Sequence, residues 1–197
     1  MSESTRGSAD TKRRLHASAL RAVVGEGHVA SVRTIAQGAG ITGAALYRHY
    51  AGLEDLFGAV FEELIVPMIS EKENLVAMRA PVRDRLREWV RCTYACFDRD
   101  HDAFTYVFLS DRPLPARHMK LAGRQSRLLA DLLDQGKREG VVRDIDLDLA
   151  CTLFIGLLLS VPKRLRDGAL PGPASDYVDE VARSVWLAVA SEHASLA

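Results

Sequence analysis

The sequence predicts an all-α protein of nine helices, and three observations carry that expectation. Apolar residues recur at spacings of three and four in one segment after another, the period of a helix with one buried face. No stretch shows the strict alternation of a half-buried strand. Glycine and proline fall mostly between the periodic segments, at Gly25 and Gly27, Gly40, Gly52, Pro81, Pro113 and Pro115, Gly140, and from Gly168 to Pro173. With 197 residues, 48% of them hydrophobic, the chain can bury one large core or two small ones.

Residues 1–10 are rich in Ser, Thr and Gly and read as a disordered tail. Asp10 or Thr11 starts the first helix, with Leu15, Ala19, Ala22 and Val23 on its inner face. Gly25-Glu26-Gly27 ends it. Ser31 suits the cap of a second helix, whose Val32, Ile35, Ala36 and Ala39 form an apolar stripe. Gly40 stands where that helix must stop in a left-handed backbone. Ile41 fills the corner, and Thr42 caps a third helix that runs to about Tyr50, with Leu46 and Tyr50 inward.

The outward face of the third helix is the informative one. A solvated face usually carries Glu, Lys and Gln; this one carries Gly43, Ala44, Tyr47 and Arg48. Small residues permit close approach, Ala can touch a thymine methyl, and Arg can bond guanine through two parallel hydrogen bonds. Helix, glycine turn and second helix are the helix-turn-helix pattern of DNA-binding proteins. A helical hairpin with an ordinary wet face is the plainer alternative.

Ile35-Ala36, Ala39-Gly40-Ile41-Thr42, Leu46-Tyr47-Arg48-His49-Tyr50 and Glu54-Asp55-Leu56-Phe57 resemble the amino-terminal domain of TetR-family transcriptional regulators. The likeness runs without gaps over about residues 11–60. It implies a helix-turn-helix domain over 11–57 and a helical effector-binding and dimerisation domain over 58–197. By the family pattern, Arg33, Thr42, Gly43, Ala44, Tyr47, Arg48 and His49 face a double-stranded DNA operator. Arg33 and Arg48 are the expected base readers; Tyr47 and His49 the expected phosphate contacts. Leu53 departs from the family, which usually has a phosphate-binding Lys at that position.

A fourth helix begins near Leu53, with Glu54 and Asp55 in the first turn, where the helix dipole favours acids. Leu56, Val60, Phe61 and Leu64 give its inner stripe, and Pro67 is expected to end or kink it. Pro81 opens a fifth helix with Val82, Leu86, Trp89, Val90, Thr93 and Phe97 inward. Arg83, Arg85, Arg87 and Arg91 read as its solvated face. A short aromatic sixth helix covers 103–110, and a seventh runs from Ala116 to Glu139. Asp144 or Asp146 caps an eighth, 147–167, apolar nearly all round until Pro162 perturbs its end. A ninth covers 175–192. Helices eight and nine carry more apolar surface than one small domain buries, which predicts a homodimer through a four-helix bundle.

Charge and chemistry narrow the function. The net charge is zero, but residues 1–53 hold seven Lys or Arg against three acids, so a basic head sits on an acidic body. Glycine-rich phosphate loops, a nucleophile elbow and paired metal-ligand histidines are missing, which argues against an enzyme, a metal site or a cofactor. Cys92 and Cys96 share a helix face with His101 close behind; they read as core thiols, with a thiol sensor or part of a metal site as the sharper alternative. No apolar run approaches the ~20 residues of a membrane span. With no secretory signal either, the expected location is cytoplasmic. Trp89, Phe97, Phe104, Phe108, Met119 and Phe154 are candidate walls of a pocket for an apolar or aromatic small-molecule effector. The combined expectation is a ligand-responsive regulator, a repressor released from a palindromic operator. Its competitor is a helical dimeric interaction module with a vestigial DNA-binding head.

Overall fold

The computed structural model describes residues 3–26, 30–110 and 116–195. They form ten α-helices: α1 Glu3–Glu26, α2 Val32–Gly38, α3 Gly43–Tyr47, α4 Leu53–Ala77, α5 Val82–Arg99, α6 His101–Phe104, α7 Ala116–Arg138, α8 Leu147–Arg166, α9 Val178–Val189 and α10 Glu192–Ser195. A π turn, Thr105–Leu109, continues α6, and a 3-10 turn, Ala174–Tyr177, leads into α9. Among the described residues the extended pairing is confined to one isolated bridge, Val142 with Ala190. None of these helices is long and apolar enough to cross a membrane.

The caps expected from the sequence are in place. Ser31 Oγ accepts from the Thr34 N–H at 3.0 Å, and Thr42 Oγ1 accepts from the Ala45 N–H at 3.2 Å. Gly40 takes φ 67°, the left-handed turn that sets α3 across α2. Two apolar clusters fill the molecule. The head core gathers Leu15, Ile35, Leu46, Leu56 and Phe61. The body core gathers Leu86, Val90, Phe104, Leu132 and Phe154 with the inner face of α9. Helix α4 belongs to both: Phe61 and Ile65 pack in the head, Met68 and Leu75 in the body.

Several expectations need correction. The disordered tail over 1–10 is helical from Glu3, where α1 begins; Thr11 Oγ1 bonds back to the Gly7 carbonyl, and Asp10 pairs with Arg13 and Arg14 at 2.9 and 3.3 Å. The nine expected helices become ten, through the short α10. The expected sixth helix divides into α6 and the π turn, because Asp100 caps two residues earlier, accepting from the Ala103 N–H. Pro67 does not end α4, which continues for ten further residues. Proline there removes the donor for the Glu63 carbonyl, but both residues are exposed, so water can replace it.

Pro162 likewise sits inside α8, and here the remedy is a side chain. The carbonyl it leaves without a helical donor is that of Leu158, and the buried Tyr94 hydroxyl donates to it at 3.1 Å. Arg85 is not solvated. It is buried, and its Nη1 donates to the Val76 carbonyl at 2.9 Å, occupying an acceptor that α4 leaves open at its end.

Candidate functional site

The surface built by α2 and α3 follows from their caps. Ala45, Leu46 and Tyr50 are buried, which fixes the roll of α3 and turns the opposite face outward. Tyr47 is 58% exposed. Arg33, Thr42, Ala44 and Arg48 are also exposed, and Gly43 and His49 are half-buried. Among the described residues, Arg33 and Arg48 pair with no carboxylate, so both guanidinium groups remain available to an anionic partner. An added Cβ at Gly43 would meet Val32 at 3.5 Å, an ordinary contact. The fold does not demand glycine there.

The head is held to α4 by a polar bridge that spacing did not reveal. His16 of α1 meets the Glu63 carboxylate through Nδ1 and lies 2.6 Å from the Tyr50 hydroxyl through Nε2. At the start of α4, Leu53 is half-buried, and Asp55 accepts from the Ala51 N–H at 3.0 Å. An apolar side chain thus stands where the resemblance implies a phosphate-binding cation.

A cavity of about 190 Å³ opens in the body between α4, α5, the π turn, α7 and α8. Of the six side chains expected to wall a pocket, Trp89 and Phe108 line it. The π turn, with its extra backbone residue, places Val107 and Phe108 along one side. Phe97, Phe104 and Phe154 lie in the body core, where Phe104 meets Phe97 edge-on at 5.2 Å and Phe154 meets Trp89 edge-on at 6.3 Å. Met119 is 64% exposed. Residues not anticipated complete the walls: Phe61 and Ile65 of α4, Thr93 of α5, and Gln125 of α7. Gln125 was detectable, since it stands four residues from both Leu121 and Leu129 on the inner register of α7.

Lys72 is the other unanticipated residue. It is buried, its Nζ donates to the Trp89 carbonyl at 3.1 Å, and it lies 5.3 Å from the Trp89 ring centre. Burial pulls its pKa below the usual lysine range. Cys92 and Cys96 are buried beside it, and burial pushes both thiols up, away from the thiolate that sensing needs. His101 stacks on Phe97, with ring centres 4.4 Å apart. No cluster of three or more metal-ligating side chains occurs among the described residues.

No family model matches the chain. The chain is 25% identical over 126 residues to the HTH-type transcriptional repressor KstR2 of Mycobacterium tuberculosis; the match covers 60% of this chain and 62% of that relative. The solved KstR2 structure superposes with a TM-score of 0.72 at 22% identity, over 92% of this chain and 95% of that one. A TetR-family regulator from Marinobacter aquaeolei VT8 superposes with a TM-score of 0.78 at 22% identity, over 95% and 100% of the two chains. FadR of Bacillus subtilis, solved in complex with stearoyl-CoA, gives 0.74 at 17% identity, over 88% and 96%. The chain thus has the fold of the TetR-family transcriptional regulators.

Proposed function

We propose that this protein is a DNA-binding transcriptional regulator that acts as a homodimer and leaves its operator when a small apolar molecule enters the body. The observation that carries the proposal is the outward face of α3. It is small and aromatic, ends in an arginine that pairs with no carboxylate among the described residues, and is held in place by the Thr42 cap. We assign residues 11–57 to DNA binding and 58–197 to effector binding and dimerisation. Arg33 and Arg48 read base edges; Tyr47 and His49 contact phosphates; Thr42, Gly43 and Ala44 allow close approach.

Helices α8 and α9 form the dimer interface in this reading. Leu149 and Leu187 are 51% and 49% exposed, and Leu153 stands one turn beyond Leu149. A two-fold pairing of these faces buries them and sets two α3 helices about 34–36 Å apart, one turn of duplex. The apolar cavity holds the effector. Its size suits a single ring or a short chain, since an engineered cavity of about 150 Å³ admits benzene.

A mobility shift on the DNA upstream of the protein's own gene tests the reading. Arg48→Ala is expected to flatten preference among operator variants, at about 1–3 kcal/mol for the base it reads. Lys12→Ala is expected to weaken all sequences alike and to reduce the salt dependence. Leu53 at the start of α4 favours the competing reading, an interaction module with a vestigial head. Failure to shift any duplex at low salt selects that reading instead.

A further inference from the structure

We infer that His118 is a positioning residue: its ring, set flush against the main chain of α4 at Gly58, fixes where α4 lies on the body and so the tilt at which the head is carried. The inference rests on the proposal that the head binds DNA in a way that depends on that tilt. Gly58 is the sixth residue of α4 and is buried. Glycine is a poor helix former, and no left-handed backbone calls for it at this position. Close approach does. A Cβ at residue 58 would overlap His118 Cε1 and stand 3.0 Å from both ring nitrogens. An imidazole from the first turn of α7 therefore occupies the space that any other side chain at 58 would take.

The ring is held by shape and not by bonds. His118 is 5% exposed, its Nδ1 is buried with no partner among the described residues, and its Nε2 lies 3.9 Å from the Glu62 carboxylate, beyond hydrogen-bond reach. Such a contact sets a distance sterically. Close-packed groups resist compression, so a methyl in the notch must push α4 and α7 apart. The same ring backs the cavity wall. Phe61, three residues along α4, meets it edge-on with ring centres 6.1 Å apart and lines the cavity. A molecule that displaces Phe61 toward α7 presses on a ring with α4 main chain behind it, which cannot yield as a side chain does. His118 thus joins the filling of the cavity to the seat of α4 without lining the cavity itself.

Gly58→Ala in the full-length protein tests the inference. Spin labels at Arg21→Cys of α1 and Asp131→Cys of α7, both exposed positions, report the distance from head to body in labelled protein diluted with unlabelled; the three native cysteines are buried. Gly58→Ala is expected to move that distance by about 1–2 Å and to weaken operator binding about tenfold. It is expected to do neither in a His118→Ala background, where the ring it collides with is gone. His118→Trp drives a larger ring against the same main chain; it is expected to reproduce both effects and serves if Gly58→Ala does not fold. Unchanged label distances in Gly58→Ala and His118→Trp, or a change from Gly58→Ala that is as large without His118, overturn the positioning role. The label distances need no DNA, so a wild type that shifts no duplex rejects the regulator reading and leaves this test in force.

Discussion

The repair of α8 at Pro162 makes a quantitative test of the fold. Proline supplies no N–H, so the Leu158 carbonyl lacks its helical donor, and the Tyr94 hydroxyl takes that place from α5 at 3.1 Å. Both residues are buried, Tyr94 completely. Burial also pushes the phenol pKa well above its usual range, which keeps the proton on the oxygen at working pH. Tyr94→Phe retains the ring and removes only the donor. The carbonyl is then unpaired in the core, at a cost of about 1–3 kcal/mol. In a domain of this size each kcal/mol lowers Tm by about 2–4 °C, so a fall of roughly 4–8 °C is expected for a mid-range loss. Pro162→Ala restores a backbone N–H to the same carbonyl. In that background Tyr94→Phe is expected to cost under about 1 kcal/mol, giving a coupling of at least about 1 kcal/mol in a double-mutant cycle. Thermal melts of the four proteins at one fixed concentration supply the cycle, because a dimer's Tm moves with concentration. Equal losses from Tyr94→Phe in the two backgrounds would show that the hydroxyl and the proline are independent, and the argument would be refuted.

Three further outcomes are expected. Glutamate at both Leu149 and Leu153 places charge on the exposed apolar face of α8; light scattering should report a shift toward monomer, and operator affinity should fall more than tenfold, whereas unchanged mass rejects α8 as interface. His16→Phe removes the bridge from α1 to Glu63 and Tyr50 and is expected to cost about 1 kcal/mol in denaturant unfolding and to weaken operator binding; wild-type values for both would make the bridge incidental. Lys72 has its folded pKa held below the unfolded value by burial, so between the two values the unfolded chain binds more protons, and the penalty is full below the folded pKa and relieved as pH rises from there toward the ordinary lysine range. Lys72→Met should therefore raise stability at pH 7 by about 1–2 kcal/mol, with Thr93 still bonded to the Trp89 carbonyl, and the gain should shrink as pH increases; a gain that grows with pH contradicts the assignment.

Local chemistry was legible in the sequence and depth was not. Ser31, Gly40 and Thr42 announce their roles because a cap and a left-handed turn depend on neighbours two or three residues away. Aromatic side chains at inner register announce only that they face inward. Phe154 and Phe108 share that property, yet one fills the body core and the other lines a cavity, a difference set by what five separate elements leave between them. Polar residues at inner register carried a signal that the reading of charge as solvated passed over. Lys72 lies three residues from both Ile69 and Leu75, and Arg85 three from Val82, at spacings that put them inside despite their charge. The prolines mislead for the same reason in reverse. A rule about backbone donors holds locally, but Tyr94 answers Pro162 from sixty-eight residues away, beyond the reach of any window.

The position of α4 gives the proposed switching a mechanical basis. Phe61 and Ile65 pack into the head core and also wall the cavity, so a molecule in the cavity touches side chains that the head itself is built on. Further bonds fix α4 from both sides: the Tyr106 hydroxyl of the π turn donates to the Phe57 carbonyl at 2.8 Å, and His16 of α1 reaches Glu63. Opposite stand Leu158 and Leu159 of α8, the helix whose other face, at Leu149 and Leu153, is assigned to the dimer. In the proposed reading an effector would therefore lie between α4, which is packed into the head, and α8, which is paired with the partner. At about 37 Å for its 25 residues, α4 converts a tilt of a few degrees into a displacement of about 2 Å at its end. In the proposed dimer two such displacements, one per subunit, would shift the α3 helices out of register on successive grooves. A molecule that fits both tilts equally would shift nothing, however tightly it bound. The walls that matter for regulation are for that reason the ones on α4 facing α8, and substitutions at Phe61 or Ile65 are the ones that should alter operator release without abolishing effector binding.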